Sequence, residues 1–283
     1  MLWLDQTVPL GVQHLLGLFT WGLLLWLAMR ETPVVRAQIA IVVAFATVIE
    51  YTFSPLLEVY VYRFENVPAY VPPGHGLVYL AALAISRSTW LQRNARVAVT
   101  ATVVLGGAFA VWGLSPLAPR PDALGAFWFA CLLGFLIWGR SRLLYVGAFL
   151  VVTALEILGT HWGIWTWQAN DPTGLVTIGN PPSGAAGGYG WFDLAAVLGA
   201  ATLLRWVRRL RQAAVSRPAR TAKVDSWSRP LVLTAEAPPS GLEPVTDVTV
   251  PPASATIGRN AAMSHGLSSG SAAMSTAPSA TST

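Results

Sequence analysis

Charge is scarce in this sequence. Only 11% of its residues are Asp, Glu, Lys or Arg, against about a quarter in a soluble domain. Hydrophobic residues make up 54%, and the mean hydropathy of +0.53 includes a polar C-terminal stretch. A soluble fold has no interior large enough for so much apolar surface, whereas a bilayer covers it. Cysteine is nearly absent. Cys131 stands alone within an apolar run, so no intramolecular disulfide can form, and helix packing is its expected role. A basic n-region is missing ahead of the first apolar run. Asp5 lies near the start, and Arg30 follows in place of a small-residue cleavage site, so that run reads as a retained span rather than a signal peptide. Nor are basic residues interleaved with aromatics on a polar domain. The net charge of +5 comes largely from arginines clustered between apolar stretches, which argues against nucleic acid as a partner and for membrane orientation.

What the sequence does contain is a series of apolar runs. A spanning helix needs roughly 20 mostly apolar residues, and seven segments come near that: 8–29, 34–53, 73–90, 95–114, 124–138, 143–158 and 188–207. Pro9, Pro33 and Pro73 fall near the starts, where proline is tolerated. The expected fold class is an all-α integral membrane protein of about seven transmembrane helices over residues 1–211. A disordered cytoplasmic tail, 212–283, rich in Ala, Pro, Ser and Thr, is expected to follow.

Basic residues set the direction. Arg30 and Arg36 follow the first span, and Arg87, Arg93 and Arg96 the third. Arg140 and Arg142 follow the fifth, and Arg205, Arg208, Arg209 and Arg211 the seventh; the alternate loops hold only Arg63 and Arg120. A basic flank on every odd-numbered span puts the N-terminus outside and the C-terminus in the cytoplasm of a multi-pass cell-membrane protein. The stretch 205–220 is expected to meet anionic headgroups, at roughly 1 kcal/mol per basic residue. Acids take the other side: Asp5, Glu50, Glu58, Glu65, Asp122, Glu156, Asp171 and Asp193, together with His14, His75 and His161. Chemistry is therefore expected at the outer end.

Two outer segments resemble each other. Each has a glutamate at the end of a span (Glu50, Glu156), then an aromatic-x-aromatic pair (Tyr60 and Tyr62, Trp165 and Trp167). A Pro-Pro with glycines follows in each, and then a helix start ending Leu-Ala-Ala. Both run in the same direction, which suggests parallel repeats over about 8–90 and 124–207, joined by a linker helix at 95–114.

An acid inside a span costs about 2.5–3.5 kcal/mol on insertion scales, so it tends to be kept for a function or a partner. Glu50 and Glu156 are accordingly the candidate catalytic acids. The plain alternative is an interfacial acid bonded to a neighbouring helix or to Arg63. The paired aromatics belong in part to an interfacial belt. In an extended segment, though, Tyr60 with Tyr62 and Trp165 with Trp167 each point their rings to one side. They could line a slot for a flat apolar substrate or stabilise a carbocation through their π faces. His75, in Pro-Pro-Gly-His-Gly, is a third catalytic candidate. Asp193 is a candidate for substrate contact, or for favouring a helix N-terminus. No His-x-x-x-His or Glu-x-x-His spacing occurs, so no metal is expected. The glycine-rich run from Asn180 lacks the Gly-Lys-Ser/Thr of a phosphate loop and reads as a tight re-entrant turn.

The pattern E-x-x-G-x-x-x-G-x-W-x-W, formed by Glu156, Gly159, Gly163, Trp165 and Trp167, resembles a signature of carotenoid-biosynthesis membrane proteins, the bacterioruberin-type hydratases, with Trp in place of Tyr. The membrane lycopene cyclases look similar in having an acid followed by an aromatic pair. The match covers about a dozen residues, and the first segment departs from it, with Phe53 and Leu57 at the glycine positions and Tyr60 one residue further from its glutamate. The resemblance implies acid-catalysed protonation or hydration of an isoprenoid double bond without a redox cofactor. Two other functions stay open. A transporter or channel would suit three-plus-one-plus-three repeats, and a non-catalytic membrane partner would use the tail to recruit proteins.

Overall fold

The computed structural model describes residues 1–215, with side chains through residue 213. The described residues are mostly helical. A short helix α1 (Leu2–Asp5) precedes α2 (Leu10–Met29) and α3 (Pro33–Tyr51), and a π-helical turn, Thr52–Leu56, extends α3 into the strand β1 (Tyr60–Tyr62). Then come α4 (Val71–Arg87), α5 (Thr89–Arg93), α6 (Ala95–Leu114), α7 (Ala123–Trp138) and α8 (Arg142–His161), followed by β2 (Trp165–Trp167) and α9 (Ala185–Val215).

Local signals account for several of the boundaries. Thr32 caps α3 through the Val35 amide at 3.4 Å with Pro33 at the first position, and Asp122 caps α7 through the Gly125 amide at 2.9 Å. Pro55 has no amide proton to give the ladder, and it lies inside the π turn that closes α3.

Among the described residues, five helices are long and apolar enough to cross a membrane: Leu10–Met29, Pro33–Leu56, Ala95–Leu114, Arg142–His161 and Ala185–Ala213. The other two predicted spans fold as α4, 17 residues, and α7, 16 residues. The run predicted as 143–158 proves longer, a helix of 20 residues. In its last turn Thr160 donates its hydroxyl to the Glu156 carbonyl at 2.7 Å, so a polar residue stays inside the helix without an unmet donor. At the other end α9 takes in residues 212–215, which the sequence pattern assigns to the tail; the remainder of that segment lies outside the described residues.

The centre is built from α3, α4, α8 and α9. The first packs on α4 and α9, and α8 packs on the same two helices. Small residues allow the closest approach. A β-carbon on Gly147 of α8 would come within 2.5 Å of the Ala82 carbonyl oxygen of α4, so only glycine lets these backbones touch. Around the centre, α2 packs on α4 and α7 on α9, while α6 rests against α7 and α8.

Candidate active site

Beyond α3 and α8 the chain forms two short strands that pair antiparallel, with Tyr60 opposite Trp167, Val61 opposite Thr166 and Tyr62 opposite Trp165. Side chains alternate across a strand, so both tyrosines and both tryptophans share one face of this ribbon. That face looks down on the two glutamates. Tyr60 and Tyr62 each donate their hydroxyl to Glu50 Oε2 at 2.8 Å. Trp165 and Trp167 each donate their indole N–H to Glu156 Oε2, at 3.0 and 3.1 Å. Burial, reinforced by the adjacent Glu50 carboxyl, pushes the hydroxyls of both tyrosines well above the ordinary tyrosine range, so both remain donors.

The glycines of the second segment now have reasons. Gly163 turns the chain from α8 into β2 with a φ of 65°, a left-handed conformation that glycine adopts without strain. Gly159 lies under the Trp165 ring, where a β-carbon would collide with the indole. Without a side chain there, the ring lies flat against α8 and reaches the glutamate one turn back. In the first segment Glu58, two residues before Tyr60, takes the same left-handed turn with a φ of 50°. Glu50 and Tyr60 are ten positions apart and Glu156 and Trp165 nine. The π turn at Thr52–Leu56 takes up the additional residue.

His75 joins the first glutamate. Its Nε2 lies 3.2 Å from Glu50 Oε1, and its Nδ1 lies 3.0 Å from the Val71 carbonyl oxygen. A carbonyl can only accept, so Nδ1 carries a proton. The contact between Nε2 and Oε1 then requires one further proton, held by either partner. Glu50 and His75 therefore share a proton between them. Glu156 differs. An indole can only donate, so Oε2 accepts from both tryptophans, and Oε1 makes no hydrogen bond among the described residues.

A cavity of about 710 Å³ lies beneath the ribbon, lined by both glutamates, His75 and all four ribbon aromatics. Seven of the eight predicted site residues thus meet in one place. The eighth, Asp193, is buried but does not line the cavity; among the described residues its Oδ2 has no hydrogen-bond partner. His14 and His161 are exposed and apart from the site, and no group of three or more His, Cys, Asp or Glu that could hold a metal occurs among the described residues. Arg63 does not reach either glutamate. It pairs with the fully buried Asp5 at 3.4 Å, which also accepts from Tyr70 at 2.8 Å and Gln13 at 3.0 Å.

Other participants were not among the predicted site residues. Tyr189 of α9 lines the cavity and stacks on the His75 ring at 5.0 Å, 3° from parallel, with Phe192 packed edgewise on the same ring. Its hydroxyl makes no hydrogen bond among the described residues. Arg120 donates to the Trp167 carbonyl at 2.7 Å, and the Asn180 side chain accepts from the Trp167 amide at 3.0 Å, fixing the second strand. Asp122 holds the turn after Gly179 by accepting from the Gly179 and Ser183 amides at 2.8 and 2.6 Å. The glycine run is therefore a backbone turn clasped by a carboxylate. Only a Gly-x-Gly flanking both His75 and Tyr189 hinted at the tyrosine: Gly74 and Gly76 in one segment, Gly188 and Gly190 in the other.

No family model, curated protein or solved structure matches the chain.

Proposed function

We propose that the chain is a seven-span membrane enzyme that performs acid-catalysed chemistry on an isoprenoid or other apolar lipid in the cavity between two parallel repeats. The repeats are α2–α4 and α7–α9, with α6 as linker. Exchanging one half for the other carries the packing of α3 on α9 into that of α8 on α4, and each register pair of the ribbon into the other. Leu80-Ala81-Ala82 and Leu194-Ala195-Ala196 then coincide, and with them His75 and Tyr189. At 1.5 Å per residue α4 and α7 reach about 24–26 Å, against roughly 30 Å of hydrocarbon, a gap that local thinning covers. The arginine-flanked helix ends lie in the cytoplasm and the glutamates at the outer end.

One observation carries the chemical reading. Of the four carboxyl oxygens in the two glutamates, only Glu156 Oε1 lacks a partner, and Glu156 lines a mostly apolar, aromatic-walled cavity. A protonated Glu156 holds its proton on that oxygen and delivers it to one carbon of a substrate double bond, leaving a carboxylate and a carbocation. The ring faces of Trp165, Trp167, Tyr60 and Tyr62 stabilise the cation. The Glu50–His75 pair passes its shared proton to the Glu156 carboxylate and then stands ready to take one. If water adds to the cation, that pair removes the surplus proton; if no water enters, it removes one from the neighbouring carbon and a shifted or cyclised alkene results. Either course returns the protein to its starting charge, with Glu156 protonated and one proton again shared between Glu50 and His75.

Lipid and isoprenoid profiling by mass spectrometry tests this, using a deletion strain complemented with the wild-type chain, Glu50→Gln or Glu156→Gln. Accumulation of one apolar precursor, cleared by wild type and not by Glu156→Gln, supports the reading. Identical profiles in all strains overturn it. A transporter is the second reading, favoured by one observation: another cavity opens at the opposite end of the bundle.

A further inference from the structure

That second cavity has the makings of a site of its own. It measures about 810 Å³ and opens at the bundle end formed by the start of α3, the ends of α4 and α7, and the starts of α6 and α8. Its walls are of two kinds. Tyr79, Leu83, Val99, Leu144 and Val197 make an apolar floor, and Arg87, Arg96, Arg140 and Arg142 stand around it.

Among the described residues no acid lines this cavity, and the four guanidinium groups are unequally compensated. Arg87 pairs with Glu31 at 3.1 Å, and Arg142 donates to the Ile137 carbonyl at 2.8 Å. Arg96 and Arg140 have neither an ion pair nor a hydrogen bond among the described residues. They come from different elements, the first turn of α6 and the link between α7 and α8. Two uncompensated guanidinium groups over an apolar floor suit a ligand with an anionic head and an apolar body. Guanidinium forks match phosphate oxygens with two parallel bonds each, and Ser86, Ser141 and Gln38 of the same cavity wall add neutral donors.

We propose that this cavity binds the phosphate group of an anionic amphiphile, a membrane phospholipid, with Arg96 and Arg140 as its principal contacts. The proposal rests on the membrane placement of the helices and not on the chemistry of the glutamate cavity, so either can fail alone.

The experiment uses the full chain purified in detergent and native mass spectrometry. Phosphatidylglycerol or phosphatidylcholine is titrated against wild type, Arg96→Gln/Arg140→Gln, and a control pair, Arg30→Gln/Arg93→Gln, that removes equal charge at exposed positions outside the cavity. Arg96 and Arg140 are exposed, so neither substitution disturbs the core. The expected result is preferential retention of phosphatidylglycerol by wild type. The cavity pair weakens it by about 25-fold, from about fivefold per basic residue near a membrane surface, and the control leaves it unchanged. Inorganic phosphate at millimolar concentration is the second arm. Phosphatidylglycerol retained in its presence identifies the lipid as the source; displacement that depends on Arg96 and Arg140 identifies a soluble phosphate as the natural occupant of the same contacts. Equal retention of both lipids, or an equal loss in the control pair, overturns the proposal.

Discussion

The two glutamates sit in the same place relative to their helices and strands, yet their surroundings make them different acids. Glu50 is saturated: two tyrosine hydroxyls on one oxygen and His75 on the other. Glu156 accepts two indole N–H groups on one oxygen only. A phenol can accept as well as donate, and an imidazole can carry a proton away, so the Glu50 half can pass protons onward. Indoles can do neither. Similar backbones thus hold a proton-sharing cluster on one side and an isolated acid on the other. What separates the two roles is the choice of aromatic residue and the exchange of His75 for Tyr189.

The sharpest test of that difference is a pair of substitutions read by product formation. Glu156→Gln is expected to lower turnover by about 10²–10⁴-fold, the usual contribution of a positioned acid, and Glu50→Gln to lower it less. Equal losses would erase the distinction. Next in size, Gly159→Ala places a β-carbon against the Trp165 indole. The ring is expected to leave Glu156, seen as a changed tryptophan fluorescence spectrum and a lowered melting temperature. The matching change at Phe53, Phe53→Ala, leaves the spectrum near that of wild type.

Removing single donors comes third. Tyr60→Phe and Tyr62→Phe each delete one of three hydrogen-bonding groups on Glu50, and Trp167→Phe deletes one of two on Glu156. A typical hydrogen bond contributes about 0.5–1.5 kcal/mol, and denaturant unfolding should show the larger loss for Trp167→Phe, which leaves Glu156 a single donor. The smallest effect belongs to the left-handed turns. Glu58→Gly is expected to stabilise the chain by up to about 1 kcal/mol and Gly163→Ala to destabilise it by about 1–2 kcal/mol. If both changes move stability in the same direction, the two turns are not alike.

Much of this was legible in the sequence, for reasons that differ from part to part. Apolar run length located the five helices long enough to cross a membrane and the shorter α4 and α7, because run length is a local property. It misjudged the end of α8, where Thr160 satisfies its own hydroxyl, and gave no sign of α1, whose Asp5 is buried through contacts with Tyr70 and Arg63, about sixty positions on. The glutamates and ribbon aromatics were found from spacing alone. Arg120, Asp122 and Asn180 were not, since what they support lies across loops: Arg120 reaches Trp167 over 47 positions and Asp122 reaches Ser183 over 61. Asp193 shows the converse. Its place near the start of α9 suggested the site, but it lies four residues beyond Tyr189 and clear of the cavity.

An extra residue in an α-helix normally turns everything after it by about 100°, enough to swing a side chain from one face to the next. The widened turn at Thr52–Leu56 absorbs such a residue within a single loop of backbone, and Tyr60 still arrives over its glutamate. Chain length and the aim of Tyr60 at Glu50 are thereby uncoupled in that half. A segment built this way can gain a residue without losing its target, which leaves the first arm freer than the second to drift in sequence. It also marks that turn as the place where an engineer could shorten the chain by one and test whether the aim survives.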